Sequence, residues 1–175
     1  EFMNEGLAAG AWLKAYAEVK GISELNVLVI EGSKGSSAQI GRTDGFKKYA
    51  DENGWTILDS QDGNFEQQKG QEVMESYCKS YAGQFNVVVC QNDNEAYGAM
   101  DAMKAAGITY GKDGDVIIIS YDATHDGLKY TLDGKININV ECNPLQAGFA
   151  AEVIKKLEAG ESVAKFTLVE DSAFV

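Results

Sequence analysis

Short apolar runs alternate with longer stretches of helical periodicity along almost the whole chain, and few folds accept that rhythm. Val87–Cys90 is unbroken and Val116–Ser120 nearly so, as expected of central parallel strands covered on both faces. Strands are expected at Asn26–Ile30, Trp55–Leu58, Phe85–Cys90, Asp115–Ser120, Ile136–Val140 and Phe166–Val169. A first helix is expected over about Asn4–Val19, where Leu7, Ala8, Ala11, Trp12, Ala15 and Val19 repeat at helical spacing before Gly21. A second starts near the capping residues Ser36-Ser37 and turns Ile40, Phe46 and Tyr49 inward. Others are expected over Glu66–Tyr81, Asn94–Ala106 and His125–Leu132. A last one runs from Asn143-Pro144 to Gly160, with an apolar stripe of Leu145, Phe149, Val153, Ile154 and Leu157. The order α(βα)₅β predicts an α/β fold, a doubly wound and mainly parallel sheet flanked by helices, of flavodoxin-like topology. The 175 residues are enough for one such core.

Four of the strands run into residues suited to a small polar ligand. The first leads to the loop Gly32–Gly35 with Arg42 beyond it, the second to Phe65, the third to Asn92 and the fourth to Asp122. In an open parallel sheet, ligands bind outside the carboxyl ends of the strands. A guanidinium fork, an aromatic face, an amide and a carboxylate would then share one rim. That set is typical of a sugar site and points to binding rather than catalysis. Each residue also has a plainer reading. Arg42 could be a salt-bridged arginine, Phe65 a loop anchor, and Asp122 a cap for the next helix. Asp93 is the expected cap of the helix after it, which leaves Asn92 free to face the cleft.

Other chemistries lack support. The net charge of −12 argues against nucleic acid and anionic membranes as partners. Cys78, Cys90 and Cys142 read as small hydrophobes rather than a disulfide set, and no metal-ligand spacing is present. Gly32-Ser33-Lys34-Gly35-Ser36-Ser37 lacks the endings of a P-loop or dinucleotide loop and reads as a tight turn, so no cofactor is expected. Ser120, Asp122 and His125 lie too close in sequence for a triad, and His125 reads as a surface residue.

Several segments, in order along the chain, carry a resemblance. They are Gly35–Phe46, Asn92–Ala99, Ser120-Tyr121-Asp122, Asp133-Gly134-Lys135 and Asn143-Pro144 with Gly148. Together they resemble the type I periplasmic sugar-binding proteins, the substrate-binding components of ABC importers in the ribose and galactose group. Ser60–Phe65, Lys69–Ser76 and Val140–Pro144 are most similar to the galactofuranose-binding branch.

The resemblance implies two lobes joined by three crossings, with a monosaccharide between them. This chain matches only from the first crossing onward. Residues 1–142 would be the carboxy-terminal sugar-binding lobe, 143–168 a segment returning to a missing amino-terminal lobe, and 169–175 a tail. Ligand contacts are implied at Arg42, Phe65, Asn92 and Asp122, and at Glu141 and Cys142 by the third crossing. The ribose pattern has an amide where Cys142 stands, and an arginine where Gln67 stands, so both depart from it. The implied partners are a monosaccharide, the missing lobe and the importer's membrane subunits. The implied location is periplasmic or extracellular, with a lipoprotein anchor as an option. No enzymatic role is implied. The runner-up is the effector domain of a lac-repressor-type regulator. With half of the pocket wall elsewhere, weak sugar binding by this chain alone is expected. The stripe at 145–157, if uncovered, suggests self-association.

Overall fold

The computed structural model describes residues 1–175. Twelve elements follow one another: α1 (Phe2–Lys20), β1 (Asn26–Glu31), α2 (Ser37–Asn53), β2 (Thr56–Asp62), α3 (Gln67–Ser80), β3 (Val87–Cys90), α4 (Asp93–Ala105), β4 (Ile117–Asp122), α5 (His125–Leu132), β5 (Ile138–Glu141), α6 (Ala147–Glu158) and β6 (Ala173–Phe174). They build a sheet of order β2-β1-β3-β4-β5-β6, parallel throughout except for the last strand. This is the doubly wound topology, with its switch point between β1 and β3.

Two apolar layers sandwich the sheet. Leu28, Ile30, Val88, Cys90 and Ile118 face Met74, Tyr77, Ala99 and Met103 of α3 and α4. Val27, Val29, Val87, Ile117, Ile119 and Tyr121 face Ala9, Leu13 and Phe46 of α1 and α2. Alternate residues of one strand thus point into opposite layers. Within each layer the two helices meet at glycines. A side-chain carbon on Gly45 would stand 2.8 Å from the Leu7 nitrogen, and one on Gly98 would stand 2.6 Å from the Gln71 nitrogen. Neither helix pair tolerates a side chain at its crossing.

Local signals explain most boundaries. Ser36 caps α2 by accepting from the Gln39 N–H at 3.2 Å, and Gly21 and Gly54 end α1 and α2 in the left-handed conformation. Several expectations are corrected. Ile40 is exposed rather than inward, because Gln39 and Arg42 take the buried face of α2. The polar segment after Leu58 continues as strand to Asp62, pairing with β1 along its length. No strand forms at Phe166–Val169; the last strand is Ala173–Phe174, antiparallel to β5. The backbone groups that β5 offers at Asn139–Val140 are the ones this edge strand pairs with.

Helix α6 stands apart. None of its residues is buried; Phe149, Ile154 and Leu157 are exposed, as is Leu145 just before it. Within the chain its apolar stripe borders only Thr167 and Val169 of the segment that follows it, and stays largely uncovered.

Candidate functional site

The carboxyl ends of the strands place the anticipated residues in sheet order. Phe65 follows β2, Gly32 follows β1, Asn92 follows β3, and Asp122 and Glu141 end β4 and β5. Arg42 reaches the same rim from the first turns of α2. The residues form two groups that meet at Gln91-Asn92.

The first group centres on Arg42, which is 2% exposed. Its Nε donates to Glu5 at 2.7 Å, its Nη2 to Asp122 at 2.7 Å, and its Nη1 to the Gln91 carbonyl. The rings of Tyr121 and Phe2 lie 4.9 and 5.5 Å from the guanidinium carbon. Burial alone would lower the arginine's proton affinity, but Asp122 and Glu5 outweigh it and hold the pKa above its ordinary value. Glu5 has only this one guanidinium, shared with Asp122. Burial wins there, and its pKa is raised despite Arg42. A guanidinium carries five N–H donors; three are engaged here, and the two rings and the surrounding chain cover the rest of the group. The second oxygen of Asp122 accepts no hydrogen bond within the chain.

The Asp122 backbone is itself unusual. Asp122 and Ala123 have φ of 91° and 51°, a region that residues with a side chain seldom occupy. Asp93 and Asn139 hold the turn in place. Asp93 accepts from Ser120 Oγ and Asn139 Nδ2, both at 2.6 Å, and from the Thr124 N–H and hydroxyl, both at 2.7 Å. Asn139 Oδ1 in turn accepts from the Ala123 N–H at 3.0 Å. Burial raises the Asp93 pKa even against these bonds.

The second group surrounds Phe65. Asn64 and Phe65 have φ of 57° and 60°. The Phe65 N–H donates to Glu95 Oε1 at 2.9 Å, and its carbonyl accepts from Asn92 Nδ2 at 3.1 Å. The ring lies against Gly32, where any side-chain carbon would collide with it. Burial pushes the Glu95 pKa up to about 8, against the opposing Phe65 N–H and the Arg42 charge.

Two anticipated residues take different roles. Asn92, not Asp93, caps α4: its Oδ1 accepts from the Glu95 N–H at 2.8 Å. With its amide donating to Phe65 and the residue 6% exposed, Asn92 does not face the cleft freely. The reason is that Asp93 points back into the sheet, toward Ser120 and Asn139, and leaves the capping position to its neighbour. Asp122 does not cap α5 either, since Thr124 does. Glu141 is half-buried and accepts from the Ser172 N–H at 3.0 Å, tied to the tail. Cys142 is half-buried, and burial raises its thiol pKa, with Glu5, Arg42 and Asp122 acting on it. His125 is exposed.

Sequence reasoning missed Glu5, Gln91, Glu95 and Asn139 and gave Asp93 a capping role it does not take; all five are buried. Two signals were available. Glu5 shares the buried α1 face with Ala9, Leu13 and Ala17. Gln91–Glu95 is a polar run placed directly after a buried strand, where every polar group needs a partner.

Comparison with known proteins bears on this rim. The periplasmic binding protein domain family matches residues 3–162. A galactofuranose-binding protein of Escherichia coli, YtfQ, is 35% identical over 98% of this chain and 54% of its own length. A crystal structure from Mycobacterium smegmatis in complex with β-D-fucofuranose is 38% identical with TM-score 0.87, over 99% of this chain and 56% of that one. An arabinose ABC transporter's periplasmic binding protein from Shewanella, bound to α- and β-L-arabinofuranose, is 34% identical with TM-score 0.88, over 99% and 57%. The chain thus spans about half the length of the relatives it matches.

Proposed function

Because this chain belongs to the periplasmic binding protein domain family, we propose that it supplies one lobe of a sugar receptor serving an ABC importer, and that its ligand is a monosaccharide of the galactofuranose type. The observation that carries the reading is the convergence of Arg42, Asp122 and Phe65 on one rim at the strand ends. The open oxygen of Asp122, whose side chain is 34% exposed, is an acceptor for a hydroxyl, and the buried Arg42 holds that carboxylate in place. Phe65 offers an apolar face beside them. Asn92 serves by fixing Phe65. Glu141 and Cys142 lie at the β5 end, next in register to Asp122, and complete the contact set. The binding step needs no bond making or breaking. The relatives described above carry sugar-binding or transport names, and none is a regulator.

Residues 1–142 act as the sugar-binding lobe in this reading. Residues 143–168 return to a second lobe that covers α6, and 169–175, expected as a tail, come back to this lobe and add the edge strand β6. The setting is the periplasm or outer cell surface, with a lipid anchor compatible. No helix of the structure is long and apolar enough to cross a membrane. Without a second lobe, the uncovered α6 stripe favours self-association, which sedimentation reads as a mass above one chain.

The test is a thermal-shift series with D-galactose, L-arabinose, D-ribose and D-glucose, on this chain and on a protein joining it to an amino-terminal lobe. A shift in the joined protein only, and an affinity of this chain weaker than about 10 μM, is the expected result. No shift in either protein with any sugar would overturn the reading.

A further inference from the structure

Phe65 stands in a backbone conformation that an aromatic residue seldom takes, with φ of 60° directly after Asn64 at 57°. Such a conformation persists only when its surroundings hold it. Both peptide groups of Phe65 are held from one helix end. Its N–H goes to Glu95 and its carbonyl receives the Asn92 amide. Room for the Glu95 side chain comes from two glycines. A side-chain carbon on Gly63 would stand 2.7 Å from Glu95 Oε1, and one on Gly70 would stand 2.8 Å from the Glu95 Cα. Glu95 is 0% exposed, and its Oε2 has no hydrogen-bond partner.

We propose that Glu95 is a positioning residue for ligand binding: its buried carboxyl group holds the Phe65 amide and so sets the angle at which the aromatic face meets the ligand. The assignment rests on the sugar-site reading, in which Phe65 is the platform. It makes the platform responsive to proton concentration. Near neutral pH the acid is largely protonated, since burial pushes its pKa up to about 8. Oε1 accepts from Phe65, so the proton belongs on Oε2. In more alkaline solution the carboxylate forms a charge-assisted bond to the same N–H, shorter and stronger than the neutral one. Other titratable or charged groups surround the site. They are Arg42 from α2, the buried Cys90 thiol at the end of β3, Asp93 on the same helix, and Glu31 at the end of β1. Asp62, Glu66 and Lys69 flank the loop and are exposed. Glu31 is engaged by Gln39 and Ser60, and Lys69 by Glu72.

The experiment follows the Phe65 amide proton of the full chain by NMR from about pH 5 to about pH 9.5, in the wild type and in Glu95→Gln. The expected result is a downfield movement in the wild type with its midpoint near 8, matching the Glu95 carboxyl carbon in the same sample, and a flat profile in the variant. An amide that does not titrate, or whose midpoint differs from that of the Glu95 carbon, overturns the proposal from the wild type alone, even if the variant fails to fold. A second arm adds L-arabinose at about 50 mM to the protein joining this chain to an amino-terminal lobe, and reads the Phe65 ring signals there. Ring signals that move while the amide ignores Glu95 would remove the positioning role and leave the sugar reading. An amide that titrates with Glu95 beside an unmoved ring would support the hold on Phe65 and count against the sugar reading.

Discussion

The Asp122 side and the Phe65 side of the rim solve one problem with unequal completeness. Each presents a ligand-facing residue from a backbone with positive φ. Each is held by a buried acid from the first turn of α4, Asp93 in one case and Glu95 in the other. Asp93 has both oxygens satisfied by four donors. Glu95 has one oxygen bonded and one orphaned. The helix N-terminus favours both charges equally well, so the difference comes from side-chain partners. A buried carboxylate with a full set of donors is a fixed strut, whereas a half-satisfied one is a group whose charge depends on pH.

The largest effect expected on the Asp122 side comes from removing its cation. Arg42→Ala leaves Glu5, with a side chain 1% exposed, as an unpaired buried acid, and should cost about 3–5 kcal/mol of stability. Chemical denaturation reads the loss, and a cost below about 1 kcal/mol would mean that the Arg42 network is not the strut described. Next comes Asp93→Ala. It strands the Ser120 hydroxyl, the Asn139 amide and the Thr124 N–H at once, with an expected cost of about 2–4 kcal/mol. A milder cost than that of Glu95→Ala in the same assay would reverse the comparison.

The Phe65 side should show a pH-dependent signature. The folded pKa of Glu95 lies near 8, above the ordinary carboxylate value of 4.5. Between these values the folded chain keeps a proton that the unfolded chain has released, so stability falls as pH rises across that window. The slope is at most about 1.4 kcal/mol per pH unit. Glu95→Gln removes that contribution, so the difference between variant and wild type should grow from pH 5 to pH 8. Glu5 and Asp93, also raised, cancel in the difference. Parallel stability curves for the two proteins would contradict the assignment.

The fold was largely legible because its signals are local. The runs at Val87–Cys90 and Val116–Ser120, the caps at Ser36 and Gly21, and the periodicity of α3 each depend on neighbours within a few residues. The site was legible in part. Arg42, Phe65 and Asp122 announce themselves by following strands, since strand ends define the rim. The Asn92–Asp93 exchange of roles was not legible. Either residue can cap a helix, and the choice depends on Ser120 and Asn139, which are distant in sequence and adjacent only across β4 and β5. The short closing strand was missed for a similar reason. Ala173–Phe174 has no pattern of its own and forms because β5 offers it an open edge.

The sequence by itself determined the order of elements, the parallel sheet and which loops gather at one rim, because hydrophobic periodicity and turn chemistry act over short distances. Only the tertiary structure decided which polar residues are struts and which are free to meet a ligand. A buried polar group takes its role from the partners that desolvation forces on it, and those partners come from other strands and helices.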